Sequence, residues 1–153
     1  MRDLRARASI YSSPADVFRV LTNFRAYADW NPWLKDIAGI KGEVKEGDVV
    51  SVGINVASLF GLRLTYRVER MRAPDTLFLR GESRFNFLLS IQREYQILTK
   101  SEGAAIYSAG LKIKGLLAGI IKFLFGKPIR RALKEEAHSL KKYCEAHYPL
   151  NRS

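Results

Sequence analysis

The clearest pattern of apolar and polar positions lies near the end of the chain, from Gly115 to Tyr148. Its apolar residues recur at steps of three and four, the spacing of one face of an α-helix, and Lys and Arg fill the other face. Such a helix depends on packing of its apolar face, so the preceding chain must supply an apolar partner. The apolar face consists of Leu117, Ile120, Ile121, Leu124, Ile129, Leu133, Ala137, Leu140 and Cys144.

The first half of this predicted helix is its weaker half. Gly115, Gly119 and Gly126 each lower helix stability by about 1 kcal/mol relative to Ala. Pro128 removes a backbone donor, which predicts a kink or an interruption. Residues 114–126 are also the most apolar part of the chain. This segment either packs into the core or forms a lid or a membrane-touching lip.

At the start of the chain, alternation from Leu4 to Ile10 predicts a strand with one buried face. Its inward positions include two alanines, which leave room beside the strand. Ser13 then has the properties of a helix N-cap, with Pro14 at the first helical position and Asp16 in the first turn. We expect this helix to end near residues 22–23.

A second short helical segment follows, and three large aromatic residues lie in it. Pro32 disfavours a helical conformation at the residue before it, so the chain should turn between Trp30 and Trp33, with Tyr27 one turn earlier. These aromatic residues either close the end of the core or line a ligand cavity, and the two roles are compatible.

From Ile37 onward the apolar pattern changes to a period of two, interrupted by Gly, Asp and Pro at turns such as 45–48, 60–61, 73–75 and 100–103. Short turns between consecutive strands predict an antiparallel meander. Together with the first strand this makes seven strands and an α+β fold. The six strands of the meander are predicted near 37–44, 48–57, 61–72, 75–83, 86–98 and 104–113.

Arg93 breaks the apolar row of its strand, because strand parity places it on the same side as Ile91 and Tyr95. A buried charge is unfavourable unless it is paired. Arg93 therefore meets an acid, reaches solvent at the mouth of a cavity, or binds an anionic ligand group. A local bulge or a side chain that extends to the surface are the alternatives.

Length and composition predict one folded domain over residues 1–149 with a loose tail at 150–153. The single cysteine, Cys144, excludes an internal disulfide and favours a reducing compartment. The first residues are too charged for a signal peptide, and the apolar run near 115–126 is shorter than the roughly 20 residues of a spanning helix. We expect a cytoplasmic protein.

The net charge of +11 is concentrated at the end of the chain, where residues 112–153 hold ten Lys or Arg and three Glu. This basic surface either serves solubility or binds an anionic partner. We expect peripheral contact with an anionic membrane through residues 114–131. Because exposed stacking aromatics are not interleaved with the basic residues, nucleic acid is not an expected partner.

The sequence offers few groups for catalysis. His138 and His147 both lie late on the long helix, nine residues apart and far from the thiol, which is not a metal-ligand spacing. A phosphate-binding Gly-rich loop and a legible nucleophile–base pair are also absent from the sequence. We therefore predict no catalytic residue, no metal and no cofactor.

The order of one strand, two short helices, a six-stranded meander and a long C-terminal helix resembles the START-like superfamily, also called SRPBCC. Gly110 to Gly115 ahead of an apolar turn is similar to the family's entry into its last helix. Among its members, the sequence is most similar to the bacterial polyketide cyclase/dehydrase-like proteins. The residues that match the family's N-terminal signature are Ser13, Pro14, Ala15, Asn23, Tyr27, Trp30, Asn31 and Pro32.

The resemblance implies a helix-grip fold, in which a curved antiparallel sheet surrounds the long helix and leaves a cavity for an apolar molecule. The expected function is binding, with transport as an extension, of a lipid, isoprenoid or polyketide-like ligand. A polyketide cyclase/dehydrase-type enzyme that acts in the same cavity is the alternative. The expected ligand-binding residues are Trp30, Trp33, Val52, Ile54, Leu64, Tyr66, Arg93, Tyr95, Leu117 and Ile121.

Overall fold

The computed structural model describes residues 4–40, 42–54, 62–82, 87–100 and 102–150. Within these ranges the chain forms seven strands, one 3₁₀ helix and two α-helices. In chain order they are β1 (Leu4–Ile10), α1 (Pro14–Thr22), the 3₁₀ helix (Phe24–Asp29), β2 (Leu34–Ala38), β3 (Val49–Ile54), β4 (Arg63–Arg72), β5 (Thr76–Gly81), β6 (Ser90–Thr99), β7 (Ala105–Lys114) and α2 (Ala118–His147).

All seven strands join one curved antiparallel sheet in the order β1-β7-β6-β5-β4-β3-β2. Strands β2 to β7 follow one another in sequence and in space, which confirms the predicted meander. β1 pairs with β7, and Leu4 lies opposite Leu111. The first and last strands of the described chain therefore lie side by side, and the α+β helix-grip architecture is confirmed.

The start of α1 follows the predicted capping pattern. The Oγ of Ser13 accepts a hydrogen bond from the backbone N–H of Asp16 at 3.2 Å, and Pro14 occupies the first helical position. Ser13 thus satisfies one of the donors that a helix start leaves free, and Pro14 has no N–H to satisfy. The buried face of α1 consists of Val17, Phe18, Val20 and Leu21.

The long helix α2 packs most extensively against β1. On the strand side, Ala6 is a small buried residue. On the helix side, Leu133, Leu140 and Cys144 are fully buried. The C-terminal half of α2 thus anchors the helix to the sheet.

The predicted position of β2 was wrong by several residues, because β2 runs over Leu34–Ala38 rather than 37–44. The side-chain oxygen of Asn31 accepts hydrogen bonds from the backbone N–H groups of Trp33 and Leu34 at 3.1 and 3.0 Å. This local bonding starts the extended chain early. Gly39, with a φ of +98°, follows the strand, and a Cβ there would lie 2.7 Å from the Val49 carbonyl oxygen.

The start of the long helix also differs from the prediction. Gly115 belongs to the turn after β7, with a φ of +107° and no room for a Cβ against the Leu88 carbonyl, so α2 begins at Ala118. The helix continues through Pro128 to His147, so the predicted interruption does not occur.

Some predicted boundaries lie outside the described residues. These are the strand ends at 55–57, 61, 83 and 86, the turn residues 60–61 and 101, and residues 151–153 of the predicted tail. β6 begins at Ser90, after a turn at residues 87–88. At the end of the described chain, the backbone N–H of Leu150 donates to the Tyr11 carbonyl at 3.0 Å.

The packing of α2 against the sheet can be measured with one matched pair of substitutions. Leu133→Ala should lower the free energy of unfolding by about 2–5 kcal/mol, because Leu133 is fully buried and its truncation leaves a cavity. Leu98→Ala should change it by less than about 0.5 kcal/mol, because Leu98 on β6 is 59% exposed. Urea unfolding followed by circular dichroism measures both. Equal losses would contradict this account of the core.

Candidate functional site

An apolar cavity of about 100 Å³ lies between the sheet and α2, and we call it the inner cavity. Strands β3, β4, β6 and β7 form one wall, and the first half of α2 forms the other. Apolar and aromatic side chains of this kind favour burial of a hydrophobic molecule. The lining residues are Trp33, Ile54, Leu62, Leu64, Tyr66, Leu89, Ile91, Leu111, Ile113, Ile121, Phe125 and Ile129.

An open groove of about 390 Å³, the outer groove, borders the inner cavity at the surface. The two share four lining residues, namely Leu64, Tyr66, Leu89 and Ile91. Leu117, just before α2, lines the groove on the other side. The shared wall places the groove directly beside the inner cavity.

A third space, the polar pocket, lies deeper in the core and measures about 10 Å³, roughly the room for one water molecule. Arg93 lines it together with three phenols, Tyr27, Tyr66 and Tyr95, and with apolar side chains from the 3₁₀ helix, β2, β3 and β5. Tyr66 lines the polar pocket, the inner cavity and the outer groove. Tyr66 is therefore common to the lining of all three spaces.

Arg93 meets an acid, which was the first of the predicted alternatives. Its Nη2 donates to the Oε1 of Glu136 at 2.7 Å, and both side chains are 1% exposed. Asn31 donates from Nδ2 to the other carboxylate oxygen at 2.9 Å, and the Tyr107 hydroxyl donates to Oε1 at 3.4 Å. This network joins β6, β7 and the turn after the 3₁₀ helix to α2.

The strand and helix patterns explain why these two charges meet. Arg93 occupies an inward position of β6 between Leu79 of β5 and Leu111 of β7. Glu136 lies three residues after Leu133 and four before Leu140, so it falls on the apolar face of α2. Sequence reasoning missed Glu136, although an acid at apolar spacing was the available signal.

Burial lowers the pKa of the Arg93 guanidinium, but the Glu136 carboxylate and the surrounding Tyr95, Tyr66 and Tyr107 together raise it by more, and the resulting pKa lies above its ordinary value. The guanidinium carbon also lies over the rings of Trp33 and Tyr95, at 4.8 and 4.9 Å from their centroids. Arg93 is thus a permanent cation, held between a carboxylate and two aromatic faces.

The tyrosines around the ion pair are neutral at physiological pH. Burial raises the pKa of Tyr66 to about 12. Burial also raises the pKa of Tyr95 and of Tyr107 well above the ordinary value, and the charge on Glu136 adds to this effect. Among the described residues, the buried charges are therefore one positive and one negative, surrounded by phenols that keep their protons.

Several buried donors at the site have no acceptor within the described part of the chain. They are Nε and Nη1 of Arg93 and the indole Nε1 of Trp33. Arg93 lines the polar pocket, and Trp33 lines the inner cavity. Both groups can only donate hydrogen bonds, so the site presents donors and needs acceptors.

The structure distributes the ten residues predicted from sequence over these spaces. Nine of them line at least one of the three spaces. The inner cavity is lined by Trp33, Ile54, Leu64, Tyr66 and Ile121. The polar pocket is lined by Val52, Arg93 and Tyr95, and the outer groove by Leu117. Trp30 instead packs on Tyr27, with ring centroids 4.8 Å apart, and is absent from the lining of all three. The inner cavity is also lined by residues that the sequence did not identify as ligand-binding, among them Leu111, Ile113, Phe125 and Ile129.

Beside the outer groove, the chain exposes a cluster of large apolar side chains that we call the apolar rim. Phe123, at the start of α2, is 88% exposed. The backbone N–H of Leu116 donates to the Phe87 carbonyl at 3.2 Å, which holds the two segments of the rim together. The rim consists of Phe87, Leu116, Leu117, Ile120, Phe123 and Leu124.

Comparison with models of known protein families finds no match, and comparison with curated proteins finds none either. Comparison with solved structures finds a hypothetical protein from Helicobacter pylori, with a TM-score of 0.78 and 12% sequence identity over 93% of this chain and 87% of that one. A START superfamily protein from Mycobacterium smegmatis matches with a TM-score of 0.69 and 12% identity over 94% and 97% of the two chains. This chain has a START-like fold.

A further START-like structure in the comparison is an enzyme, norcoclaurine synthase from Thalictrum flavum, in complex with dopamine and hydroxybenzaldehyde. It matches with a TM-score of 0.73 and 10% identity over 97% of this chain and 89% of that one. The TM-scores establish the START-like fold, and sequence identities this low establish nothing finer. They confirm the structural half of the resemblance seen in the sequence.

Other kinds of site find no support in the described residues. No group of three or more His, Cys, Asp and Glu side chains within those ranges is placed to hold a metal ion. His138 and His147 are both exposed on α2, outside the lining of the three spaces. No helix of the described chain is long and apolar enough to cross a membrane.

Removal of one partner should show how strongly the buried ion pair is coupled. Arg93→Met should lower the free energy of unfolding by roughly 3–5 kcal/mol, because it leaves the Glu136 carboxylate buried without its cation. The double variant Arg93→Met/Glu136→Gln should recover much of that loss, since Gln keeps an acceptor for Asn31 and carries no charge. Urea unfolding measures both.

The exposed pair Arg80–Glu69, 3.4 Å apart, provides the control for this experiment. Arg80→Met should cost less than about 1 kcal/mol, because exposed ion pairs are screened by solvent. A double variant as unstable as Arg93→Met alone would contradict the coupling.

Proposed function

We propose that this protein binds a small hydrophobic molecule between its sheet and α2, with transport of that molecule as an extension. The observation that carries the proposal is the inner cavity, an apolar space that borders an open groove flanked by exposed apolar side chains. Burial of apolar ligand surface would supply the affinity, at about 25 cal/mol per Å² before the costs of association.

The volumes indicate how a ligand would sit. The inner cavity, about 100 Å³, is smaller than the pockets of roughly 300–1,000 Å³ that hold drug-sized ligands, whereas the outer groove of about 390 Å³ falls in that range. A lipid, isoprenoid or polyketide-like ligand would therefore occupy both spaces. Ile121 and Phe125, which line the inner cavity from α2, are only partly buried.

A cyclase or dehydrase acting in the same cavity is the alternative. The START-like synthase in complex with dopamine and hydroxybenzaldehyde is one enzyme with this fold. In this chain Arg93 could polarise a ligand carbonyl, but the phenols of Tyr66 and Tyr95 keep their protons and are poor bases near pH 7. The chemistry of the described lining therefore favours binding over turnover.

A cavity-filling substitution tests the binding proposal. Ile121→Trp places an indole in the inner cavity, so the affinity for the neutral fluorescent dye N-phenyl-1-naphthylamine should fall at least ~10-fold, or about 1.4 kcal/mol. Phe123→Trp on the same helix should leave it within about twofold, because that side chain projects into solvent. Fluorescence titration measures both, and urea unfolding confirms that the variants are folded.

Native mass spectrometry of the gently purified protein is the complementary test. A co-purifying small molecule, lost in Ile121→Trp and kept in Phe123→Trp, would support the proposal. A wild-type protein that carries no such molecule and does not bind the dye would refute it.

Contact with an anionic membrane through residues 114–131 is a second proposal, and the apolar rim supports it. Next to the exposed Phe123 and Leu124 lie the exposed cations Lys127, Arg130 and Arg131. Apolar side chains that enter a bilayer surface, with basic residues nearby, are typical of peripheral membrane contact, and each cation adds about 1 kcal/mol on anionic lipid. A cytoplasmic protein that docks in this way could load or release its ligand at the membrane.

Liposome co-sedimentation tests this contact. The wild-type protein should bind vesicles that contain phosphatidylserine better than pure phosphatidylcholine vesicles, and less well as salt is raised. Phe123→Glu should reduce the bound fraction severalfold by opposing insertion, whereas Leu98→Glu, at an exposed apolar residue of β6, should not. Binding that ignores both lipid charge and salt would contradict the proposal.

A further inference from the structure

We infer that the ligand of this cavity is electrically neutral and carries an acceptor oxygen, such as the carbonyl of a ketone or ester, that accepts hydrogen bonds from Arg93 and Trp33. The inference rests on the proposed binding function and names the chemical class of the ligand. It follows from three features of the site: its free donors, its charge balance and the size of the polar pocket.

The free donors specify an acceptor. Arg93 uses Nη2 for Glu136, and its Nε and Nη1 have no acceptor in the described ranges. The indole N–H of Trp33 likewise has no acceptor in those ranges. A buried donor without a partner is unfavourable, and guanidinium and indole groups cannot accept in return. A ligand group that only donates, such as an ammonium, would leave all three atoms unsatisfied.

The charge balance specifies neutrality. The Glu136 carboxylate already compensates the Arg93 cation at 2.7 Å, and both are buried. A ligand carboxylate beside them would leave a net negative charge in a medium of low dielectric constant, which is unfavourable. The other titratable side chains that line the polar pocket are Tyr27, Tyr66 and Tyr95, neutral phenols whose pKa burial raises and which cannot offset it.

The size of the polar pocket specifies how much of the ligand is polar. At about 10 Å³ it admits roughly one oxygen atom. Trp33, whose ring lies against the Arg93 guanidinium, lines the inner cavity. The oxygen would therefore enter beside Arg93 and Trp33, past Tyr66, while the apolar body of the ligand stays in the inner cavity and the outer groove.

Three naphthalenes of similar shape test the inference by displacement of N-phenyl-1-naphthylamine from the wild-type protein. 2-Acetylnaphthalene offers a neutral carbonyl, 2-isopropenylnaphthalene replaces that oxygen with a methylene group, and 2-naphthoate carries a charge. We expect the ketone to bind about 10-fold more tightly than the alkene, as a hydrogen bond from a charged donor would provide. Naphthoate should bind most weakly.

Two double variants locate the effect. Arg93→Met/Glu136→Gln removes the donor and keeps the pair neutral, so the preference for the ketone over the alkene should disappear while the alkene still binds. Arg80→Met/Glu69→Gln, at the exposed pair on β4 and β5, should keep the full preference. Trp33→Phe should reduce it in part, because Phe preserves the ring under Arg93 and lacks the N–H. If the first variant does not fold, the wild-type series and Trp33→Phe decide.

The possible outcomes separate this inference from the proposed function. If the dye and all three naphthalenes fail to bind, both are wrong. If the alkene binds as tightly as the ketone, or naphthoate binds most tightly, the cavity takes hydrophobic molecules but the inference is overturned. If only a water molecule serves the free donors, the result is that same absence of preference for the ketone.

Discussion

The buried ion pair between Arg93 and Glu136 is the constraint on which the rest of the interior depends. It fixes one inward position of β6 to one position of α2, and Asn31 and Tyr107 bond to the same carboxylate. Apolar packing alone would tolerate small shifts of a helix along a sheet, whereas a two-atom contact between opposite charges does not. The pair therefore sets the register in which the sheet holds the helix.

Such a pair is a poor way to stabilise a core, since apolar residues of equal volume are often as good or better. Its presence here fits a specific role in the interior. The carboxylate is satisfied by three donors, but the guanidinium keeps two nitrogens without acceptors in the described ranges. The same residue that aligns the helix thus also gives polarity to an otherwise apolar cavity.

The sequence predicted the order of the elements, the antiparallel meander and the buried side of Arg93, because these follow from periodicity and strand parity. It did not predict that β2 begins at Leu34, because that depends on a side-chain bond from Asn31 to the local backbone. Nor did it identify Glu136 as the partner of Arg93. Strand and helix patterns show which side of an element is buried, but the pairing of two distant elements depends on their packing.

The pairing of β1 with β7 has a consequence for synthesis. Leu4 forms its sheet contact with Leu111, so the first strand emerges from the ribosome long before its neighbour exists. At the usual elongation rates of 5–20 residues per second, that interval is roughly 5–20 s. Throughout it, β1 is an open edge whose backbone groups can pair with another chain. The arginines at positions 5 and 7, exposed between the inward residues of β1, place positive charge along that edge while the nascent chain waits.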